Sequence, residues 1–192
     1  MAACAAFGIA FPDFARERAL RFKLDEAGVE LFLIKDRDLP LYVEYGVADV
    51  GVVGTDVLGE MDGDLLVPLT FVAGRSRLSL IGRPGSAPQP GSQVRLATKY
   101  PAVARRWLAT RPWSAELVEL AGSVELGPVL ELAEVALDIV QTGRTLAANG
   151  LVELETVAEV APCLVVNRAS YPRHRERLND LFRRFEAAGV AR

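Results

Sequence analysis

Short apolar runs alternate with amphipathic stretches along most of the chain, and this alternation predicts strands that alternate with helices. The predicted strands are 29–34, 48–54, 65–69, 77–81, 93–99, 117–120, 135–140, 151–157 and 163–167. The predicted helices are 39–45, a helix beginning at 55, 101–110, 123–133, a short helix ending at Gly150, and 172–188. The charged stretch 16–26 fits a hairpin or an irregular strand. The pattern as a whole is typical of an α/β protein.

The turn at 141–145 offers the clearest candidate chemistry. It follows an apolar run that carries one carboxylate, Asp138, and it consists of Gln141, Thr142, Gly143, Arg144 and Thr145. Such a turn presents backbone N–H groups, two hydroxyls and a guanidinium at a helix start, which suits a phosphate. Glycine allows close backbone approach. An ordinary strand-to-helix turn would have the same pattern, and both interpretations stay open.

Residues 47–58 repeat the pattern of 135–146. Each stretch is a buried strand with one Asp, then a Gly/Thr loop, then a helix start. The Pro-, Gly- and Ser-rich segment Gly82–Ser92 has the composition of a hinge, so we expect two similar lobes joined there. Ligands of open α/β sheets bind at the carboxyl ends of strands, in this case in a cleft between lobes. A chance similarity between two buried strands is the alternative.

Composition excludes several classes of protein. The chain has 192 residues, 51% of them hydrophobic, yet no segment reaches the ~18 uninterrupted apolar residues of a membrane span. A net charge of −3 argues against general nucleic-acid binding. The two cysteines, Cys4 and Cys163, have no metal-ligand spacing. The single histidine, His174, is expected to be a solvated helix residue. With no signal peptide evident at the start, a cytoplasmic protein is expected.

Several motifs in the same order resemble the ATP phosphoribosyltransferase family. They are DLPLYVEYG (38–46), ADVGVVGTDVL (48–58), RLATKYP (95–101), GSVEL (122–126), DIVQTGRTLAANGL (138–151) and LVVNR (164–168). The resemblance extends from about Val29 to the end of the chain. Several motifs in one order are more specific than any single loop.

The resemblance implies a two-lobed, periplasmic-binding-protein-like (type II) fold with a cleft. It implies transfer of the phosphoribosyl group of phosphoribosyl pyrophosphate to N1 of ATP, the first step of histidine biosynthesis, with Mg²⁺ on the substrate phosphates. The chain resembles the short form, which implies a homodimer within a hetero-oligomer that contains a regulatory subunit resembling histidyl-tRNA synthetase. A non-catalytic two-lobed small-molecule binding or regulatory module is the alternative.

The resemblance also assigns roles to residues. Asp138 and Glu125 are the expected catalytic carboxylates, facing the ribose hydroxyls or the magnesium. Thr142, Gly143, Arg144 and Thr145 are expected to hold the 5′-phosphate, and Gln141 beside them is expected to bind substrate. The other expected substrate-binding residues are Gly54, Asp56, Arg77, Lys99 and Tyr100, with Arg75 a weaker candidate. Arg77 and Lys99 would contact pyrophosphate or the ATP phosphates, and Tyr100 the adenine.

The resemblance divides the chain into lobe I, 1–86 plus 165–192, and lobe II, 87–164, which carries the phosphoribosyl pyrophosphate loop. The family opens with a strand that ends in Pro-Lys-Gly-Arg, and this motif is absent here. Met1–Gly8 resembles the tail of the helix that follows that strand. The resemblance therefore implies either that the reading frame begins upstream of Met1 or that the first lobe is truncated at its N-terminus.

Overall fold

The computed structural model describes residues 19–24 and 28–191. The strands are β1 (Arg21–Leu24), β2 (Val29–Phe32), β3 (Val50–Gly54), β4 (Leu65–Thr70), β5 (Ser76–Gly82), β6 (Gln93–Thr98), β7 (Ser114–Glu119), β8 (Val135–Val140), β9 (Val152–Val160) and β10 (Pro162–Asn167). The helices are α1 (Leu39–Glu44), α2 (Thr55–Glu60), α3 (Pro101–Leu108), α4 (Leu126–Val129), α5 (Arg144–Ala148), α6 (Ser170–Arg173) and α7 (Arg175–Ala187). None of the described helices is both long and apolar enough to cross a membrane.

The chain forms two compact units. The first contains the described parts of Met1–Leu58, Gly63–Gly74 and Pro162–Arg192, and the second contains Gly59–Asp62 and Arg75–Ala161. The chain therefore passes between units four times, after Leu58, Asp62, Gly74 and Ala161. The predicted α/β class is confirmed, because both units combine sheets with helices.

The first unit is built on a three-stranded antiparallel sheet in the order β3-β10-β4. The central strand β10 is apolar because it is covered on both faces. One face packs with α1 and α2 around Val43, Val53, Val57, Cys163 and Val165, and the other packs with α7 around Leu69, Phe71, Leu164 and Phe185. Helix α1 approaches β3 closely at Gly51, where an added Cβ would lie 2.5 Å from Leu39 Cδ2. A separate hairpin pairs β1 with β2.

The second unit is a five-stranded sheet in the order β7-β6-β8-β5-β9. Strands β6, β7 and β8 are parallel, whereas β5 runs antiparallel to both β8 and β9. Helix α3 covers one face, with Tyr100, Ala104 and Trp107 packed on Leu78, Leu80 and Leu137. The opposite face buries Ile81, Ala97, Ala136, Val140 and Leu146.

Three sequence expectations differ from the structure. The helix predicted over 123–133 is only the single turn α4, because Pro128 has no N–H to donate and Gly127 is a poor helix former. The helix predicted over 172–188 is divided into α6 and α7 at His174, whose φ of −120° lies outside the helical region. Gly82–Ser92 joins β5 to β6 inside the second unit and does not cross between units.

The unit boundaries also differ from the lobes expected from the sequence. Residues 75–86 belong to the second unit because β5 is hydrogen-bonded between β8 and β9. Residues 162–164 belong to the first unit because β10 pairs with β3 and β4. The expected truncation of the first lobe concerns Met1–Gly8, which lie outside the described residues.

An ion pair joins β6 to the start of β8 at the amino-terminal ends of these parallel strands. The Glu134 carboxylate accepts hydrogen bonds from the Arg95 guanidinium, with Nη2 2.5 Å from Oε1, and from the Arg95 backbone N–H at 2.5 Å. The guanidinium and then the backbone N–H lower the pKa of Glu134 from the ordinary 4.5 to about 2. This carboxylate is therefore more stable as an anion in the folded state than in the unfolded chain.

We expect the contribution of Glu134 to stability to depend on pH. Because its folded pKa is depressed, that contribution is complete above pH 4.5 and is lost as the pH falls towards about 2. The Glu134→Gln variant should lower the urea midpoint at pH 7, and its difference from wild type should shrink towards pH 2. The control is Glu119→Gln, since Glu119 and its partner Arg105 are both mostly exposed, and it should change the midpoint little. A difference for Glu134→Gln that stays constant from pH 7 to pH 2 would contradict this account.

Candidate functional site at the carboxyl edge of the second sheet

Candidate residues from distant parts of the sequence lie at one edge of the second unit's sheet. Because β6, β7 and β8 are parallel, the segments that follow them lie at the same edge. These segments are Lys99 after β6, 120–125 after β7 and 141–143 after β8. Strand β5 is antiparallel to β8, and its register places Arg77 opposite Val140 at the same edge. The topology therefore brings together residues whose positions along the sequence give no reason to expect proximity.

Polar side chains occupy one face of the sheet beside this edge. Asp138 lies opposite Ser79 in the β5–β8 pairing, and both alternate with residues that pack under α3 on the other face. The Asp138 side chain is only 16% exposed, and its Oδ1 lies 3.3 Å from Lys99 Nζ and accepts the Ile139 N–H at 2.8 Å. We call this set the polar patch: Arg77, Ser79, Lys99, Asp138, Glu153 and Thr156.

Glu153 is the hydrogen-bonding centre of the polar patch. Its Oε1 accepts from Arg77 Nε at 3.0 Å, from Ser79 Oγ at 2.9 Å and from Thr156 Oγ1 at 2.8 Å, while Oε2 accepts from Arg77 Nη2 at 2.8 Å. The hydrogen bond from Arg77, helped by those from Thr156 and Ser79 and opposed by burial, lowers the pKa of Glu153 to about 2. The same pairing raises the pKa of Arg77. Sequence reasoning missed Glu153, because Arg77 is 76 residues away and the contact depends on strand order.

The loop between β8 and α5 is exposed and turns at a left-handed glycine. Gly143 has a φ of 72° and is the residue before α5, while Leu146 anchors the helix in the core. The exposed residues of the loop and helix start are Gln141, Thr142, Arg144 and Thr145. A Cβ added to Gly143 would meet no atom within 4 Å, so the backbone conformation and not a lack of space requires glycine in this structure.

Helix α5 has only five residues, so its dipole is weaker than the helix start expected from the sequence. The predicted binding of a phosphate by this loop would therefore depend on its own N–H groups and side chains. Arg144 Nε lies 3.4 Å from Thr142 Oγ1, the long end of hydrogen-bond distance, so the exposed guanidinium is only weakly held.

Other expected residues lie in different surroundings. The Tyr100 ring is 4% exposed and packs in the core under α3, so its position does not support the expected stacking on adenine. Glu125 is half-buried and directly precedes α4. Gly54 and Asp56 belong to the first unit. There a Cβ on Gly54 would come within 2.0 Å of Asp56 Oδ1, so glycine is needed for the carboxylate to fold over the strand end. Arg75 is exposed.

Within residues 19–24 and 28–191, no three His, Cys, Asp or Glu side chains are grouped closely enough to hold a metal ion. Asp138 and Glu125 could supply single carboxylate ligands, but they do not make a closed protein site. Mg²⁺ typically retains waters and is bound through one or two carboxylates together with substrate phosphates. The residues at this edge fit that mode of binding and not a resident metal centre.

A family model described as ATP phosphoribosyltransferase matches residues 35–187 of the chain. The chain belongs to the ATP phosphoribosyltransferase family. An ATP phosphoribosyltransferase from Thermus thermophilus is 44% identical over 177 residues, an alignment that covers 92% of this chain and 84% of that protein. The family resemblance seen in the sequence motifs is thereby confirmed.

Solved structures agree with this membership. The ATP phosphoribosyl transferase (HisG:HisZ) complex from Thermotoga maritima matches with a TM-score of 0.81 and 32% identity, covering 97% of this chain and 90% of that one. The arginine-bound form of truncated ArgBP from T. maritima matches with a TM-score of 0.52 and 13% identity, covering 85% and 77%. At that identity the second likeness concerns the fold alone.

The left-handed glycine before α5 gives a test of the loop. The variant is Gly143→Ala, and the control is Gly85→Ala. The φ angles are 72° at Gly143 and 80° at Gly85, and an added Cβ would meet no atom within 4 Å at either position. Each substitution should therefore lower the free energy of unfolding by about 1 kcal/mol through backbone strain alone. Only Gly143→Ala should also weaken binding of phosphoribosyl pyrophosphate in titration calorimetry, because the strain distorts the loop that is expected to hold its 5′-phosphate. Equal loss of binding in both variants would show that the effect comes from stability and not from the loop.

Proposed function

We propose that this chain is the catalytic subunit of ATP phosphoribosyltransferase. It transfers the phosphoribosyl group of phosphoribosyl pyrophosphate to N1 of ATP, giving phosphoribosyl-ATP and pyrophosphate in the first step of histidine biosynthesis. Family membership and the 44% identical relative support the reaction. The observation that carries the site is that the loop 141–145, Lys99 and Arg77 lie at one edge of the second sheet, with Asp138 two positions inside that edge on β8.

The reaction is a displacement at the anomeric carbon. The adenine N1 forms a bond to C1′ as the bond from C1′ to the pyrophosphate oxygen breaks, and pyrophosphate leaves with that electron pair. Because positive charge develops on the ribose, positioning and charge neutralisation are the main requirements, and no covalent nucleophile is needed. Asp138 and Glu125 are the proposed carboxylates that face the ribose.

Different basic and polar residues are proposed to bind different phosphate groups of the substrates. The exposed loop of Gln141, Thr142, Gly143, Arg144 and Thr145 is proposed to hold the 5′-phosphate. Arg77 and Lys99 are proposed to contact pyrophosphate or the ATP phosphates. Lys99 lies 3.3 Å from Asp138, so the residue that neutralises this carboxylate also stands beside the proposed pyrophosphate site. Gly54 and Asp56 are also proposed to bind substrate.

A divalent cation, proposed to be Mg²⁺, would neutralise the substrate phosphates when bound. Asp138 and Glu125 are the residues that would contact it, as single carboxylate ligands. The chain's own residues are proposed to bind the phosphates and to fix the position of the ribose.

We further propose that the chain functions as a homodimer in a cytoplasmic hetero-oligomer with a regulatory subunit resembling histidyl-tRNA synthetase. The similarity to the HisG:HisZ complex supports this assembly. The alternative is a non-catalytic two-lobed binding or regulatory module, since proteins with the ArgBP fold share the architecture. Family membership and the exposed phosphate loop favour the enzyme.

The proposed function is tested by mixing the chain with its regulatory subunit, ATP, phosphoribosyl pyrophosphate and Mg²⁺ and measuring phosphoribosyl-ATP. Calorimetric titrations with phosphoribosyl pyrophosphate and with small amino acids separate the two hypotheses. Turnover together with binding of phosphoribosyl pyrophosphate is expected. Binding of an amino acid without any turnover would favour the binding module.

Arg144→Ala should raise the KM for phosphoribosyl pyrophosphate about tenfold and leave the KM for ATP nearly unchanged, because the loop contacts only the former. The control is Arg183→Ala, which removes a 74%-exposed arginine from α7 of the first unit and should change neither constant. Steady-state kinetics with each substrate varied in turn provides the measurement. Equal effects of Arg144→Ala on both substrates would argue against this assignment of the loop.

A further inference from the structure

We propose that Glu153 is a positioning residue that holds the Arg77 guanidinium in a fixed orientation for a substrate pyrophosphate group. The inference rests on the proposed function for the identity of the ligand and names a residue outside the motifs that carry the family resemblance.

Glu153 is held by several donors and is not a freely moving surface carboxylate. Ser79, which is fully buried, and Thr156 both donate to Oε1, so the carboxylate is oriented by groups on two strands. Its side chain is 25% exposed. Against this support, Arg77 docks in bidentate geometry through Nε and Nη2. A planar guanidinium fixed by two parallel hydrogen bonds loses little further rotamer freedom when it binds another ligand.

The guanidinium keeps donors available after this pairing. Arginine has five N–H groups, and the pairing with Glu153 uses one on Nε and one on Nη2. Nη1 makes no hydrogen bond to any residue in the described part of the chain, and the Arg77 side chain is 39% exposed. The edge formed by Nη1 and Nη2 is therefore available to a doubly accepting group such as a phosphate.

Removal of the Glu153 charge would have two opposite effects on pyrophosphate binding. A carboxylate beside an anion site lowers the local positive potential, so electrostatics alone predicts that removing the Glu153 charge would tighten pyrophosphate binding. Loss of orientation predicts the reverse, because Arg77 would have to be ordered at the time of binding. We expect orientation to dominate, since Arg77 makes all its side-chain hydrogen bonds within the described residues to Glu153.

A second arginine–glutamate pair on β9 provides a matched control. Glu155 accepts from Arg111 Nη2 at 2.5 Å, and the Arg111 guanidinium stacks over the Trp107 ring at 4.5 Å, on the face covered by α3. Glu155 lies opposite Leu80, whereas Thr156 lies opposite Ser79 of the polar patch. Glu155→Gln thus removes the same charge from the same strand but from the opposite face of the sheet.

The test compares Glu153→Gln, Glu155→Gln, Arg77→Ala and the double variant Arg77→Ala/Glu153→Gln, each assembled with the regulatory subunit. Inorganic pyrophosphate binding is measured by calorimetry, and thermal unfolding is followed separately. Glu153→Gln should weaken pyrophosphate binding about tenfold, and Glu155→Gln should leave it unchanged. In the Arg77→Ala background, Glu153→Gln should have no further effect, because a positioning residue acts only through the group that it positions.

The milder Thr156→Val variant keeps the test informative if Glu153→Gln unfolds, since it removes one hydrogen bond to the carboxylate from an exposed residue. It should weaken pyrophosphate binding about twofold to threefold. Tighter or unchanged pyrophosphate binding in Glu153→Gln would overturn the inference, and the same result in Thr156→Val would do so if Glu153→Gln unfolds. Additive losses of binding in the double variant would also overturn it, as would a wild type that binds no pyrophosphate.

Failure of the inference can be told apart from failure of the proposed function. If wild type turns over and Glu153→Gln leaves pyrophosphate binding unchanged, the proposed reaction is supported and the proposed role of Glu153 is wrong. If wild type makes no phosphoribosyl-ATP but Glu153→Gln weakens pyrophosphate binding as expected, the role of Glu153 is supported and the proposed reaction is wrong.

Discussion

The charge of Asp138, on the central strand of the second sheet, is the constraint that organises the candidate site. A carboxylate with 16% exposure needs compensation, because burying an uncompensated charge is costly. Lys99 and the Ile139 N–H supply it from β6's end and from β8 itself. This requirement accounts for the position of Lys99 beside a strand whose other residues are apolar, next to an exposed loop.

Arginine–glutamate pairs serve different purposes in different parts of the second unit. The Arg95–Glu134 pair joins β6 and β8 at the edge opposite the site and has a backbone N–H as an additional donor. The Arg111–Glu155 pair covers Trp107 under α3. The Arg77–Glu153 pair differs from both in being supported by two hydroxyls. Its bidentate geometry through Nε and Nη2 leaves the opposite edge of the guanidinium available. Geometry and surroundings, and not the presence of an ion pair, therefore distinguish a candidate site from a structural contact.

The comparisons support fold and chemistry to different degrees. Likeness to ArgBP at 13% identity shows that the architecture is shared with proteins outside the family, and an architecture of this kind hosts many functions. The family model and the 44% identical relative establish membership, and the arrangement at the carboxyl edge is compatible with phosphoribosyl transfer. The buried position of Tyr100 shows that a residue inside a matching motif can belong to the core.

Local patterns in the sequence determined most of the elements, including the strands, the single-glycine turn at Gly143 and the family motifs. They did so because apolar periodicity and turn chemistry are properties of neighbouring residues. Only the tertiary structure decided that β5 lies between β8 and β9, which moved residues 75–86 to the second unit and placed Arg77 beside Glu153. Strand order depends on packing between residues far apart in the chain. For the same reason the sequence pointed to the loop 141–145 as a phosphate site but gave no sign of Glu153, whose significance depends on the strand beside it.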